Sequence, residues 1–527
     1  MKSLKVLDVT LRDGGCVNNF NFGHTYMEKI LEAQEKSGVD IIELGYIDEN
    51  NGTCGERTQY KNEKVIKDVI LKEKKENMSY VAMIDYGKFN IDNLEKRTND
   101  GIDGIRMAFH KKNSEDIISV GKKIIEKGYD FYIQPMITLR YSDAELLELI
   151  SLVNKELPNA AGFYIVDSFG EMRPNDMVRI LNLVDHNLIP TMTLGFHSHN
   201  NLQMSYSNAI EMLRFETNRN LMLDSSIMGM GKGAGNLNTE LLLEHLNLYY
   251  GKSYRIEPLL EVIDKVINQL HSEFYWGYAP EYYLSAANQC TPSYASHFYN
   301  KHMLPIDQVG ELLGMIAPDK KISFDKNYAE DLYRKYNESK KVDDSKTLVD
   351  LRKVFKEKKI LLIAPGRTIG EAMPEIKNIA LKEDTITIGL NTQLDFNTFL
   401  LTTRKDIYDK AIADGDKIIV CSNISKGGRG NVYILNYANW IDVDDRTHDS
   451  SSVIALNLLK ACGVKNVLLA GFDGFEANIN ENYYNPDMRH PVSPEQVIRR
   501  NNYYKMFINK MREDGMNISF ITPSKYE

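Results

Sequence analysis

Cysteine is scarce and scattered in this chain. Cys16, Cys54, Cys290, Cys421 and Cys462 are odd in number and never form a C-x-x-C pair, which excludes a disulfide framework and a zinc ribbon. Also missing is any uninterrupted apolar run near the roughly 18 residues that a membrane-spanning helix needs. The opening Met1-Lys2-Ser3-Leu4-Lys5-Val6 enters a strand pattern without the apolar stretch of a secretory leader, so a cytoplasmic protein is expected. Positive charge is not in excess. The formal net charge of −9 argues against nucleic acid or an anionic membrane surface as a partner. There is no low-complexity tract and no internal repeat. What remains, 43% hydrophobic and 26% charged residues in 527, is the composition of ordinary globular domains, about two or three of them.

Eight short apolar runs follow one another from the N-terminus, at 6–12, 41–47, 80–85, 104–109, 131–138, 162–167, 193–199 and 221–228. Helical patterns fill the gaps. Met27, Ile30 and Leu31 share one face of a helix that Gly38 is placed to end, and Ser142-Asp143-Ala144-Glu145 has capping-box spacing ahead of Leu146, Leu149, Ile150 and Val153. Eight strand–helix alternations over about 250 residues predict a (β/α)8 TIM barrel; an open doubly wound sheet is the competing α/β arrangement. The expected organisation is a barrel over 1–257, an aromatic-rich helical extension over 258–337, a polar linker over 338–348, and a second, open-sheet α/β domain of Rossmann-like character over 349–527. The second domain shows its own strand runs at 360–364, 385–390, 399–403, 417–421, 432–435, 467–470 and 518–522.

In such a barrel the C-terminal ends of the strands carry the chemistry. Arg12-Asp13, Glu43, Arg106, Gln134, Asp167-Ser168, His197, His199 and Asp224 all stand at or near such ends. Residues two apart on a strand point to one side, so His197 and His199 can grip one ion together. Asp13 could complete a two-nitrogen, one-oxygen set that leaves positions open for substrate, as a catalytic metal requires. Taken singly, Glu43 or Gln134 is as readily a salt-bridged or solvated residue, and two strand histidines need not be ligands.

Thr10-Leu11-Arg12-Asp13-Gly14, His197-x-His199-Asn200, and Gly231-x-Gly233-x-Gly235-Asn236 with Glu240 together resemble the DRE-TIM metallolyase superfamily over residues 4–250. Its members include 4-hydroxy-2-oxovalerate aldolase, hydroxymethylglutaryl-CoA lyase and the isopropylmalate and homocitrate synthases. Asp224-Ser225-Ser226 leading into the glycine run is most similar to the oxovalerate aldolases. The resemblance implies a carbon–carbon lyase acting on a 2-oxo acid and an aldehyde, with manganese or magnesium held by Asp13, His197 and His199 and, as a weaker ligand, Asn236. It further implies that Arg12 pairs with the developing enolate oxygen of pyruvate, that Ser168 and Gln134 line the substrate, that Tyr282 or Tyr283 supplies a tyrosine from the helical extension, and that the chain forms a homo-oligomer.

One position departs from the family. Its acid/base histidine, three residues after the metal aspartate, is here Cys16, expected to be a small buried thiol, while His24 is expected to open a helix. The proton donor is left unassigned. In the second domain, Pro365-Gly366-Arg367-Thr368 follows a strand, and its backbone amides could hold a phosphate. Residues 358–475 faintly resemble bacterial sialyltransferase-like and DUF115-type domains, departing from them at Ala364-Pro365-Gly366-Arg367, which implies a domain that binds a nucleotide-linked sugar or only packs against the barrel. Its size and glycine turn lead to the expectation of a sugar-derived or nucleotide-linked aldehyde, in surface-polysaccharide synthesis. The competing functions are an acetyl-CoA-dependent Claisen condensation, a ferrous oxygenase built on the same ligand types, and a non-catalytic barrel beside a carbohydrate-binding domain.

Overall fold

The computed structural model describes residues 3–55, 57–302, 304, 306–425, 427, 431–440, 450–476, 478, 481–485 and 494–527. The chain divides into two compact units, Met1–Pro292 and Ser293–Glu527, so helices that follow the barrel fall in both units.

In the first unit the strands are β1 Leu4–Asp8, β2 Ile41–Ile47, the two-residue β3 Gln59–Tyr60, β4 Ser79–Asp85, β5 Gly104–Phe109, β6 Asp130–Pro135, β7 Gly162–Asp167, β8 Thr193–Ser198 and β9 Leu221–Ser225. All pairings are parallel. The order β1-β9-β8-β7-β6-β5-β4-β2 closes on itself through Leu7 beside Ile41, and β3 is appended to β2. This is the expected eight-stranded barrel. Leu7, Val9, Ile41, Val81, Tyr132, Tyr164, Val166 and Met222 form one buried cluster on the inward parity of the strands. The opposite parity packs on the helices in a second, larger cluster, so both faces are buried and the strands are apolar throughout. The helices end where local chemistry ends them. Gly38 caps His24–Ser37 at φ 79°, and Ser142 and Glu145 make both bonds of the capping box on Asp143–Glu156.

Among the described residues the second unit carries seven parallel strands: β10 Lys359–Ile363, β11 Thr385–Leu390, β12 Phe399–Thr402, β13 Ile418–Cys421, β14 Val432–Leu435, β15 Asn466–Ala470 and β16 Asn517–Phe520. Their order, β14-β13-β12-β11-β10-β15-β16, reverses direction at β10, as in a doubly wound sheet. Within the stretch expected to be a polar linker, Asp344 is buried: it accepts from the Asn436 N–H and the Trp440 indole, both at 2.9 Å, just ahead of the helix Ser345–Phe355.

Candidate metal centre and active site

A turn bonded on several sides carries Arg12 and Asp13 beyond β1. Their backbone N–H groups both donate to the Val9 carbonyl, at 3.0 and 2.8 Å. Beneath them the buried Asp8 accepts from the Thr10 N–H at 2.9 Å and from the side chains of Thr10, Gln34 and Thr239, each at 2.6 Å. Thr10 in turn accepts the Ile227 N–H at 2.8 Å, which ties the turn to the loop after β9. Burial raises the Asp8 carboxyl against the pull of these bonds, a sign of a structural carboxylate held deep in the barrel.

Above this floor six charged or titratable side chains close a ring. Arg12 Nε donates to Glu43 Oε2 at 2.6 Å, and the same oxygen lies 2.9 Å from Arg106 Nη1. Arg106 Nη2 pairs with Asp224 Oδ2, which also meets His197 Nδ1 at 2.9 Å. His197 Nε2 stands 3.4 Å from Asp13 Oδ2, and Asp13 Oδ1 returns to Arg12 Nη1 at 3.3 Å. Arg106 is 0% exposed and lies 4.8 Å from the centre of the Tyr164 ring. Gln134, with its amide oxygen turned toward Arg106, accepts from Nε at 3.1 Å and Nη2 at 2.8 Å. A guanidinium so deep in the protein is tolerable because Glu43, Asp224 and Gln134 all face it. Gln134 therefore supports Arg106 from within the barrel.

Asp13, His197 and His199 offer ligand atoms that all lie within 4.8 Å of one another, and all three residues are buried. His199 Nε2 is 3.6 Å from the same Asp13 Oδ2 that His197 faces. That oxygen is buried without a hydrogen-bond partner, as are His199 Nδ1 and Asn236 Oδ1. Two ligand atoms bound at right angles at about 2.1 Å from an ion stand roughly 3 Å apart, so these residues fit a divalent ion with little movement. Asp224 engages His197 Nδ1 and leaves Nε2 for the ion, the carboxylate–histidine arrangement that orients a metal-binding imidazole. Burial would raise the Asp13 carboxyl, but Arg12, His199 and His197 together hold it well below the ordinary range. Burial lowers His199 to about 4, so its imidazole is neutral. Burial also acts against the His197 imidazolium, yet Asp13 and Asp224 outweigh it and raise that pKa.

The other expected residues divide. Asn236 belongs to the centre by position: its backbone bridges to His199, and its amide nitrogen donates to the Met230 carbonyl at 3.2 Å. Ser168 stands at the end of β7, half-buried, where its hydroxyl accepts the Ile137 N–H at 3.0 Å. Tyr283 is not drawn into this network; it lies on the helix Pro280–Ala287 with 45% of its surface exposed. Glu240 accepts the N–H of Met228, whose φ is 54°, and so supports the loop below Asn236. Cys16 is exposed rather than buried, because the 3-10 turn Gly14–Cys16 lifts it to the rim. Its sulfur lies 3.6 Å from Asp13 Oδ1, and the surrounding protein and the Asp13 charge push the thiol up to about 12. The residues that sequence reasoning passed over are Tyr46 and Asp85, on neighbouring strands near Arg12. The only sequence sign of them was a carboxylate ending the third apolar run.

In the second unit the turn expected to receive phosphate is occupied from within. The Thr368 N–H donates to Asp473 Oδ2 at 2.8 Å, its hydroxyl donates to Oδ1 at 2.5 Å, and a Cβ on Gly366 would stand 2.6 Å from Asp473 Oδ1. An internal carboxylate thus takes the amides offered after β10.

A model of the family described as HMGL-like matches residues 3–250, which lie in the first unit. The chain is 30% identical to 4-hydroxy-2-oxovalerate aldolase 2 of Comamonas testosteroni over 250 residues, 46% of this chain and 68% of that protein. It is 28% identical to 4-hydroxy-2-oxovalerate aldolase of Pseudoalteromonas translucida over 298 residues, 53% of this chain and 83% of that protein. A solved N-terminal domain from Bacteroides vulgatus, provisionally described as that of an aldolase, is 26% identical and covers 57% of this chain and 97% of its own, at a TM-score of 0.49.

Proposed function

We propose that this chain, which belongs to the HMGL-like family, is a divalent-metal-dependent aldolase that forms or cleaves a 4-hydroxy-2-oxo acid through a pyruvate enolate. The observation that carries this reading is the closed ring of Arg12, Glu43, Arg106, Asp224, His197 and Asp13, which leaves buried ligand atoms of Asp13, His197 and His199 turned toward one another. Asp13, His197 and His199 would hold the ion, manganese or magnesium, with Asn236 as a further ligand; the ion supplies Lewis-acid polarisation of a 2-oxo acid.

Arg12 does the rest of the electrostatic work. Glu43 and Asp13 fix its Nε and Nη1, while Nη2 is buried without a partner. That free donor is suited to the oxygen on which negative charge collects as the enolate forms, and it gains strength as the charge develops. Breaking C3–C4 of the hydroxy acid sends its electron pair into the enolate, and the 4-hydroxyl loses its proton as the aldehyde carbonyl forms. Ser168, one residue beyond the end of β7, is assigned to the substrate carboxylate.

The rival is a Claisen condensation using acetyl-CoA. Metal-loaded protein given 4-hydroxy-2-oxovalerate should release pyruvate and acetaldehyde. If it instead consumes acetyl-CoA with a 2-oxo acid and leaves the hydroxy acid intact, the aldol reading falls. A second reading concerns the aldehyde. The second unit is a parallel-sheet domain whose strand order reverses at β10, an arrangement that commonly receives nucleotides. It favours a sugar-derived or nucleotide-linked aldehyde, although Asp473 already fills the turn at Gly366. Calorimetry of the full chain with nucleotide sugars tests this, and absence of binding removes it. Among the described residues no helix is long and apolar enough to cross a membrane, and we assign the protein to the cytoplasm and to a homo-oligomer on family likeness alone.

A further inference from the structure

The aldol step needs a group to take the 4-hydroxyl proton, and the position three residues after Asp13 offers the thiol of Cys16 rather than an imidazole. Strand β2 is irregular between Glu43 and Tyr46. Ile41 and Val81 belong to the inward cluster, and Glu43 lies beside Val81 in the β2–β4 ladder, so Glu43 faces inward. Three positions on, Tyr46 would by simple alternation face the helices. The ladder slips, however: the next register pair after Glu43–Val81 is Tyr46 with Met83, so β2 accommodates one extra residue. Tyr46 thereby takes the inward parity of Met83, which Asp85 shares two residues later.

Gly45 makes the slip possible. Its φ is 153°, and a Cβ there would stand 2.2 Å from the Thr58 carbonyl oxygen. The re-aimed Tyr46 is held by its N–H, which donates to that same Thr58 carbonyl at 2.8 Å, and by the Phe20 ring, 6.0 Å away between centroids. Asp85 stands two residues beyond Met83 on the same face of β4, close enough for its carboxylate to act on the Tyr46 phenol. The other charged or titratable groups around the pair are Arg12 and Cys16 at Tyr46, and Arg12, His110 and Lys88 at Asp85. The pair therefore reaches the same recess as Cys16 and Arg12, but from β2 and β4.

We propose that Tyr46 and Asp85 are the proton-carrying pair of the aldol step, with Tyr46 the catalytic residue that touches the substrate hydroxyl and Asp85 acting through it. In cleavage, the 4-hydroxyl proton passes to the Tyr46 oxygen as the tyrosine's own proton passes to the Asp85 carboxylate. The O–H electron pair becomes the aldehyde π bond, C3–C4 breaks, and its electrons enter the enolate; addition runs the same transfers backward. Burial raises the Asp85 carboxyl and, with the Asp85 charge, raises the Tyr46 phenol. The phenol is thus protonated between turnovers, and the carboxylate is the titrating member.

This inference rests on the aldolase reading, and the test separates the two. Tyr46→Phe removes one oxygen and keeps the ring against Phe20; Asp85→Asn removes the charge. Each variant is compared with wild type for melting temperature, manganese content, deuterium exchange into pyruvate and cleavage of 4-hydroxy-2-oxovalerate. We expect melting temperature and manganese content to hold and exchange to stay within about threefold. Cleavage should fall by about 100-fold or more in both variants, and Asp85→Asn should lose the acid limb of the wild-type kcat–pH profile. Cleavage within about threefold of wild type, or equal loss of exchange and cleavage, overturns the pair while leaving the aldolase reading intact. A wild-type chain that neither exchanges nor cleaves overturns both.

Discussion

Replacing Asp224 with asparagine tests how the ring and the metal centre are joined. Asp224 Oδ2 faces two partners, the Arg106 guanidinium and His197 Nδ1. Burial would raise its carboxyl, but Arg106 and His197 outweigh burial and lower it, so the residue is an anion in place. Asparagine keeps the shape and removes the charge. Losing the carboxylate that orients a metal-binding histidine typically weakens binding by about 10- to 100-fold, or about 1.4 to 2.8 kcal/mol. The fold should lose about 3 kcal/mol, at the lower end for a broken buried pair, because Glu43 still faces Arg106 at 2.9 Å. Glu43→Gln is the matched control: it also strips a buried charge from Arg106 but touches neither histidine. It should cost similar stability by urea unfolding, yet leave manganese affinity by calorimetry within about threefold. Unchanged affinity in Asp224→Asn, or an equal loss in both variants, refutes the claim that Asp224 acts through His197.

Two further outcomes follow from the electrostatics. At pH 6 manganese binding should release about one proton per ion, read from the buffer dependence of the binding enthalpy, because the raised pKa of His197 keeps it protonated while His199, at about 4, is already neutral; release of no proton contradicts the assignment of His197. On the outside of the barrel, Asp103 accepts from Lys74 at 2.6 Å, Arg97 at 2.8 Å and the Tyr80 N–H at 3.0 Å, and these bonds outweigh burial to lower its carboxyl. Its contribution is present above the unfolded pKa near 3.8 and is lost as pH falls through the lowered folded value, so Asp103→Asn should cost about 2 kcal/mol at pH 7 by urea unfolding and progressively less in acid below 3.8.

The strands were legible because a barrel buries both strand faces, and each run of Ile, Val, Leu and Phe therefore stands out against polar helix faces and turns. Their C-terminal ends were not. The runs at 6–12, 131–138 and 221–228 stop as strands at Asp8, Pro135 and Ser225, because the chain turns at the mouth while still burying Leu11, Ile137 and Ile227. Ile137 and Met228 take φ 54° there, which hydropathy cannot reveal. Of the site, the spacing of His197 and His199 and the place of Asp13 were readable, since strand alternation alone sets them on one face. The ring through Glu43 and Arg106 was visible only as residues near strand ends; which carboxylate serves which arginine depends on the shear of the barrel. Tyr46 was hidden altogether, because its direction is set by a one-residue slip opposite Met83 that no local pattern announces. Asp344 reads as linker by its polar neighbours, yet the indole of Trp440, far along the chain, donates to it.

The central claim is that Asp13, His197 and His199 hold an ion on which a 2-oxo acid is turned into its enolate. Nuclear magnetic resonance of pyruvate in deuterium oxide measures it directly. Wild-type protein should exchange the methyl protons with manganese or magnesium and stop when the metal is chelated. Arg12→Ala should slow the exchange by about 100-fold or more, the range seen when one preorganised donor to a developing oxyanion is removed. The double variant His197→Ala, His199→Ala should neither bind the ion nor exchange. Exchange that persists without metal, or in the double variant, would contradict the account.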